Sequence, residues 1–191
     1  MPVLISLLRG VNIGGHHKIK MDALRRIYES LKLESVQTCL QSGNVIFQTE
    51  NQNLAGLSKA IEAAIERKLG FRPNVIVRTV SELRSIIARN PFAKRSGIEP
   101  GKLVVTFLGA EPNAKARTQL LAMDIAPEEL QVFGREFYIY FPNGQARMRL
   151  SWPRVEKIIG PAFTSRNWKT VTRLLELAQA LNKSAARSVM P

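Results

Sequence analysis

A mixed α+β chain, its first half ordered strand, helix, strand, strand, helix, strand, follows from three features of the sequence. A continuous apolar run, Val3 to Leu8, opens it as a buried strand. Two amphipathic helical segments follow, at Lys20–Leu33 and about Asn53–Leu69. Between those helices the tight-turn composition Ser42-Gly43-Asn44 joins two strand-like runs.

Each element has its own warrant. Within Lys20–Leu33, Met21, Leu24, Ile27, Tyr28 and Leu31 recur at helical spacing, with Asp22 near the start. Val36–Gln41 and Val45–Thr49 are the arms of a β-hairpin. In the second helix Leu54, Leu57, Ile61, Ala64 and Ile65 share one face, and Gly70 closes it. Pro73–Thr79 supplies a fourth strand. This order is the split βαβ unit of ferredoxin-like folds. The continuous apolar run of Val3–Leu8 further predicts an interior strand with at least one parallel neighbour.

Ser81 is expected to cap a short linking helix, Glu82–Arg89, which Asn90-Pro91 stops. The polar stretch Lys94–Gly101 reads as an exposed boundary loop. Beyond it the order repeats less cleanly: a strand at Lys102–Leu108, a helix at about Pro112–Met123, and a hairpin of Gln131–Phe133 and Glu136–Phe141 turning at Gly134-Arg135. Helical stretches near Pro153–Ile159 and Asn167–Leu181 follow. A closing strand has room only in Pro161–Thr164, so the second unit reads as incomplete. The expected organisation is one subdomain over 1–80, a linker over 81–101, a second subdomain over 102–181, and a frayed polar tail from 182 to 191.

Composition narrows the partners. Lys and Arg number 28 against 15 Asp and Glu, a formal charge of +13, which favours phosphate-bearing polyanions such as nucleic acid; an excess kept for solubility is the competing explanation. The lone cysteine, Cys39, cannot form an internal disulfide, and no apolar run suits a secretion signal or a membrane span. A cytoplasmic protein without membrane association is expected. Asp22 and Asp124 are the only aspartates, a supply too small for a catalytic magnesium cluster, so no metal and no cofactor is expected. The oligomeric state is not legible in the sequence.

The first candidate site is the loop after the opening strand, Gly10-Val11-Asn12-Ile13-Gly14-Gly15-His16-His17-Lys18. Its glycines permit positive φ and close approach to main-chain N–H groups, and a helix N-terminus follows, so an anion is the natural guest. Arg9, Gly10, Asn12, Gly14, Gly15 and Lys18 are the anion-binding candidates. Gly10 and Gly15 are spaced like the outer glycines of a P-loop, yet His16 and His17 stand where Lys and Ser or Thr belong, which argues against nucleotide hydrolysis. The two histidines are candidates for acid–base work on a phosphorylated or carboxylated small molecule; exposed loop residues is the plainer reading.

The second lies near the C-terminus, where eight basic residues between Arg135 and Arg173 face two acidic ones. Arg166, Lys169 and Arg173, at i, i+3, i+7 of the last helix, share a face expected to be solvated. If Tyr138 and Tyr140 lie on an open sheet face beside Arg135, Arg147 and Arg149, the patch would stack and neutralise single-stranded nucleic acid; the alternative is that this face is packed. A basic module docking an acidic protein partner is a third reading.

Three runs, Leu8-Arg9-Gly10-Val11-Asn12 with Gly14-Gly15, Gln41-Ser42-Gly43-Asn44-Val45, and Arg166-Asn167-Trp168-Lys169-Thr170-Val171, closely resemble the bacterial family catalogued as domain of unknown function 1697, over roughly Met1 to Leu181. The resemblance implies two ferredoxin-like plaits in tandem. The family has no established activity, so it assigns no catalytic residue.

Overall fold

A computed structural model describes residues 1–13 and 17–187. Gly14, Gly15 and His16 of the glycine loop, and residues 188–191 of the tail, lie outside the described residues. The chain is a mixed α/β fold with two four-stranded antiparallel sheets and six α-helices.

The first sheet has the strand order β2-β3-β1-β4, from β1 (Val3–Leu8), β2 (Glu34–Cys39), β3 (Asn44–Gln48) and β4 (Val75–Thr79). Helices α1 (Met21–Ser30) and α2 (Leu54–Leu69) bury Leu24, Ile27, Leu57, Ile61 and Ile65 against Leu4, Leu8, Val45, Phe47 and Val77 of the strands. Ser6, on the same side of β1, meets the Tyr28 hydroxyl of α1 at 2.7 Å. Asn53 caps α2 by accepting from Gly56 N at 2.9 Å, and Gly70 ends it in the left-handed conformation.

Val3–Leu8 is an interior strand, as expected, but both of its neighbours, β3 and β4, run antiparallel to it. The expected parallel neighbour is therefore wrong. The crossover through α1 makes β1 and β2 parallel, and β3 of the hairpin is inserted between them. All six residues of β1 are buried, so an antiparallel strand covered on both faces reads as the same run, apolar but for Ser6.

The short helix α3 (Val80–Ala88) is capped by Thr79 rather than Ser81. Thr79 Oγ1 accepts from Glu82 N at 3.1 Å, and Glu82 Oε2 accepts from Thr79 N at 2.7 Å, a reciprocal capping box.

The second sheet has the order β6-β7-β5-β8, from β5 (Leu103–Leu108), β6 (Glu129–Phe133), β7 (Glu136–Tyr140) and β8 (Phe163–Asn167). Helices α4 (Ala114–Leu121) and α5 (Trp152–Ile159) are capped by Asn113 and Ser151, and Leu120 and Val155 enter a core with Val104, Leu108, Phe137 and Ile139. The closing strand thus exists and completes the sheet. It runs past Thr164 to Asn167, because Ser165 and Arg166 pair with Thr106 and Val105 of β5 despite their polarity. The last helix, α6, spans Trp168–Arg187.

The chain divides into two compact units, Met1–Ser85 with Arg173–Pro191, and Ile86–Thr172. The division falls inside α3 and α6, so the end of the last helix belongs with the first sheet, at variance with the boundaries read from the sequence.

Candidate functional site

In the first unit, two of the sequence runs singled out above meet. Asn12, at φ 55°, spans them with its side-chain amide: Nδ2 donates to Ile19 O at 3.0 Å and to Gln41 O at 2.7 Å, while Oδ1 accepts from Ile19 N at 2.8 Å. Both amide protons and the carbonyl are thereby engaged. Asn12 builds the loop and has no donor left for an anion.

The turn at Gly43 is fitted to this loop. Leu8 N donates to Gly43 O at 2.8 Å. Gly43 has φ 70°, and a Cβ there would overlap Val11 Cγ2 and lie 2.8 Å from Leu8 Cβ. Gly10 also has positive φ but open space around it. Asn44 closes the turn by donating to Cys39 O at 2.8 Å and Ser42 Oγ at 2.9 Å.

His17 is stacked on Phe71, with ring centroids 4.3 Å apart and planes 17° from parallel. Its Nδ1 lies 3.3 Å from Gly10 O, a carbonyl that can only accept. Among the described residues no carboxylate or nucleophile is hydrogen-bonded to this ring.

Lys18 leads into α1, whose N-cap residue, Lys20, makes no side-chain cap. The other described α-helix starts have one: Thr79, Asn53, Asn113 and Ser151 at α3, α2, α4 and α5, and Asn167, which accepts from Lys169 N, at α6. The uncapped first turn of α1 borders a cavity of about 700 Å³ whose wall includes Lys18, Lys20, Asp22, Asn12 and Gln41. Asp22 is engaged by Arg25, 3.4 Å away. Lys18 and Lys20 make no ion pair among the described residues. Sequence reasoning selected Lys18 but missed Lys20 and Gln41; the uncapped helix start was the available signal.

In the basic C-terminal constellation the packed alternative holds, and the open aromatic-plus-basic face does not form. All of β7 is buried; the Tyr138 hydroxyl donates to Ile86 O at 2.6 Å and that of Tyr140 to Gly97 O at 3.3 Å, so neither ring offers a stacking face. The alternation in this strand separates two buried faces rather than an inner and an outer one. Arg166 lies on β8, not on the last helix, and is only 7% exposed; it donates through Nη1 to Thr164 Oγ1 at 2.7 Å and Ser165 O at 2.8 Å. Burial pushes its guanidinium down to about 10, still cationic at neutral pH. The expectation that Arg166, Lys169 and Arg173 share one solvated helix face therefore fails at Arg166, because the helix begins two residues later.

Two of the remaining cations hold structural partners. Arg149 donates to Ala126 O at 2.9 Å and Asp124 Oδ2 at 3.2 Å, bracing the segment before β6, and Arg173 pairs with Glu176 at 3.0 Å. Arg135 is half-buried; Arg147 and Lys169 are exposed. Cys39 is buried, which pushes its thiol up from the ordinary value, partly offset by the Arg173 charge. Among the described residues no group of three or more His, Cys, Asp or Glu is placed to hold a metal, and no helix is long and apolar enough to cross a membrane.

Residues 1–138 match the family described as "Protein of unknown function (DUF1697)". The chain belongs to that family. The DUF1697 match includes the glycine loop and the Gly43 turn and ends within β7, so the Arg166–Val171 run lies beyond it. The solved structure titled "The structure of conserved bacterial protein SP0830 from Streptococcus pneumoniae" is similar to this chain at 19% identity with a TM-score of 0.70, covering 93% of this chain and 98% of that one. At that identity the likeness is one of fold. No curated protein matches this DUF1697 chain.

Proposed function

We propose that this protein binds a phosphate-bearing small molecule at the N-terminus of α1, on a scaffold of two ferredoxin-like plaits. The scaffold reading is supported by the strand orders β2-β3-β1-β4 and β6-β7-β5-β8, each the order of a βαββαβ plait. The observation that carries the site is the uncapped first turn of α1 opening on a cavity lined by Lys18 and Lys20. First-turn N–H groups without a side-chain cap and the positive end of the helix attract an anion, and two lysines that make no ion pair among the described residues add charge.

An anion at a helix end contributes about 0.3–1 kcal/mol when exposed, and each lysine a similar amount. Replacing both lysines should therefore weaken binding about tenfold. The test is titration of inorganic phosphate and nucleoside monophosphates into the full chain and into Lys18→Gln/Lys20→Gln, with melting temperature as a control. Equal affinity in the two proteins overturns the assignment.

Nucleic acid is the second reading, favoured by the net charge of +13 and by the exposed Arg147 and Lys169. It draws no support from Tyr138, Tyr140 or Arg166, which are buried. A steep fall of affinity with salt for single-stranded DNA or RNA, reduced in Arg147→Gln/Lys169→Gln, would favour it.

A further inference from the structure

We infer that the groove between α1 and α2 binds a small anionic amphiphile, a ligand with one apolar ring or short chain carrying a phosphate, sulfonate or carboxylate. This site is separate from the α1 N-terminus and does not depend on that reading. The groove has a floor of buried Ile27 and Ala64 flanked by half-buried Ala23 and Leu69. Alanine at 23 and 64 leaves a cavity of about 500 Å³ between the helices. That lies within the range of roughly 300–1,000 Å³ usual for small-molecule sites.

Its rim supplies the charge. Exposed Arg26 on α1 and exposed Arg67 and Lys68 on α2 line the groove, and no acidic residue does. None of the three makes an ion pair among the described residues. Carboxylates on the same two helices are engaged elsewhere: Asp22 and Glu29 with Arg25, at 3.4 and 3.8 Å, and Glu62 and Glu66 with Arg72, at 3.3 and 3.0 Å. Arg25 and Arg26 are consecutive, hence about 100° apart around the helix, so the pairing of one leaves the other to the groove.

A plainer role exists for Arg67 and Lys68, which sit in the last turn of α2 and complement the negative end of that helix. Arg26 has no such role, being mid-way along α1. Three cations on two helices lining a groove with an apolar floor match a ligand that is apolar at one end and anionic at the other.

The test uses 2-naphthyl phosphate as probe, with calorimetry and amide NMR shifts on the full chain. The expected result is saturable one-to-one binding with shifts at Ala23–Ser30 and Ala64–Leu69. Binding should weaken at least about tenfold in Arg26→Gln/Arg67→Gln and stay unchanged in Arg72→Gln, a cation of the same helix region that already has its partners. Inorganic phosphate and 2-naphthol, each carrying half of the recognised chemistry, should bind at least about tenfold more weakly than the probe.

Vesicles of phosphatidylglycerol against phosphatidylcholine separate the sources: co-sedimentation that needs Arg26 and Arg67 assigns a lipid headgroup, and its absence alongside probe binding assigns a free metabolite. No saturable binding, an equal loss in Arg72→Gln, or phosphate alone binding as tightly as the probe overturns the inference. Shifts confined to residues 18–22 would overturn it too, while supporting the α1 N-terminal site.

Discussion

Asn12 illustrates how a side chain chosen as a ligand turns out to be architecture. It combines a left-handed backbone, which asparagine tolerates better than other non-glycine residues, with three hydrogen bonds holding the loop to Ile19 and Gln41. Asn12→Ala should remove all three and add backbone strain, destabilising the protein by about 2–4 kcal/mol, read as a lower urea midpoint. Tyr28 and Tyr138 make a second residue-scale case. Burial raises both phenols above the ordinary value of 10, opposed at Tyr28 by the Ser6 hydrogen bond and added to at Tyr138 by Glu136. The folded pKa exceeds the unfolded one, so the stability linked to these groups is fully present below about pH 10 and is lost as pH rises beyond it. In a Tyr140→Phe background, phenolate absorbance should grow only together with loss of the circular dichroism signal; phenolate formation in the folded protein would contradict this.

At the scale of elements, two glycines with the same φ of 70° separate conformation from packing. Gly10→Ala meets open space and should cost only the left-handed backbone penalty, about 1–2 kcal/mol. Gly43→Ala adds overlap with Val11 and Leu8 and should cost about 1–3 kcal/mol more. Similar melting temperatures for the two variants would mean that the turn can shift away from the loop. The hairpin and the helices were legible in the sequence because each rests on local periodicity or turn chemistry. The Thr79–Glu82 capping box was also legible, as Thr-x-x-Glu, but lost to Ser81 two residues on. Burial of the second sheet face was not legible: nothing local distinguishes Tyr138 covered from Tyr138 exposed, and Arg166-Asn167 reads as the start of the last helix until β5 pairs with it. The Gln41 wall of the candidate pocket depends on the same kind of long-range pairing.

Across the whole molecule, the two sheets repeat one plan with few shared residue identities. Arg78 pairs in register with Ile5 on the central strand of the first sheet, and Arg166 with Val105 at the corresponding place in the second; both arginines are buried. Ser6 and Thr106 likewise occupy matching positions, one bonded to Tyr28 and the other to Ser165 at 2.8 Å. What the plan conserves is burial and hydrogen-bonding capacity by position, which explains why no repeat was evident in the sequence. The units nevertheless differ in continuity. The first is completed only by Arg173–Pro191, which supplies Leu174 and Ala178, both fully buried, whereas the second is one uninterrupted stretch, Ile86–Thr172. Ending the chain after Thr172 removes those two buried residues, which group with the first unit, and none of the second. Hydrogen exchange should then accelerate in β1–β4 more than in β5–β8, since local opening follows the loss of local buried contacts. Equal acceleration in both sheets, or a larger one in β5–β8, would show that the end of α6 is not part of the first unit's core.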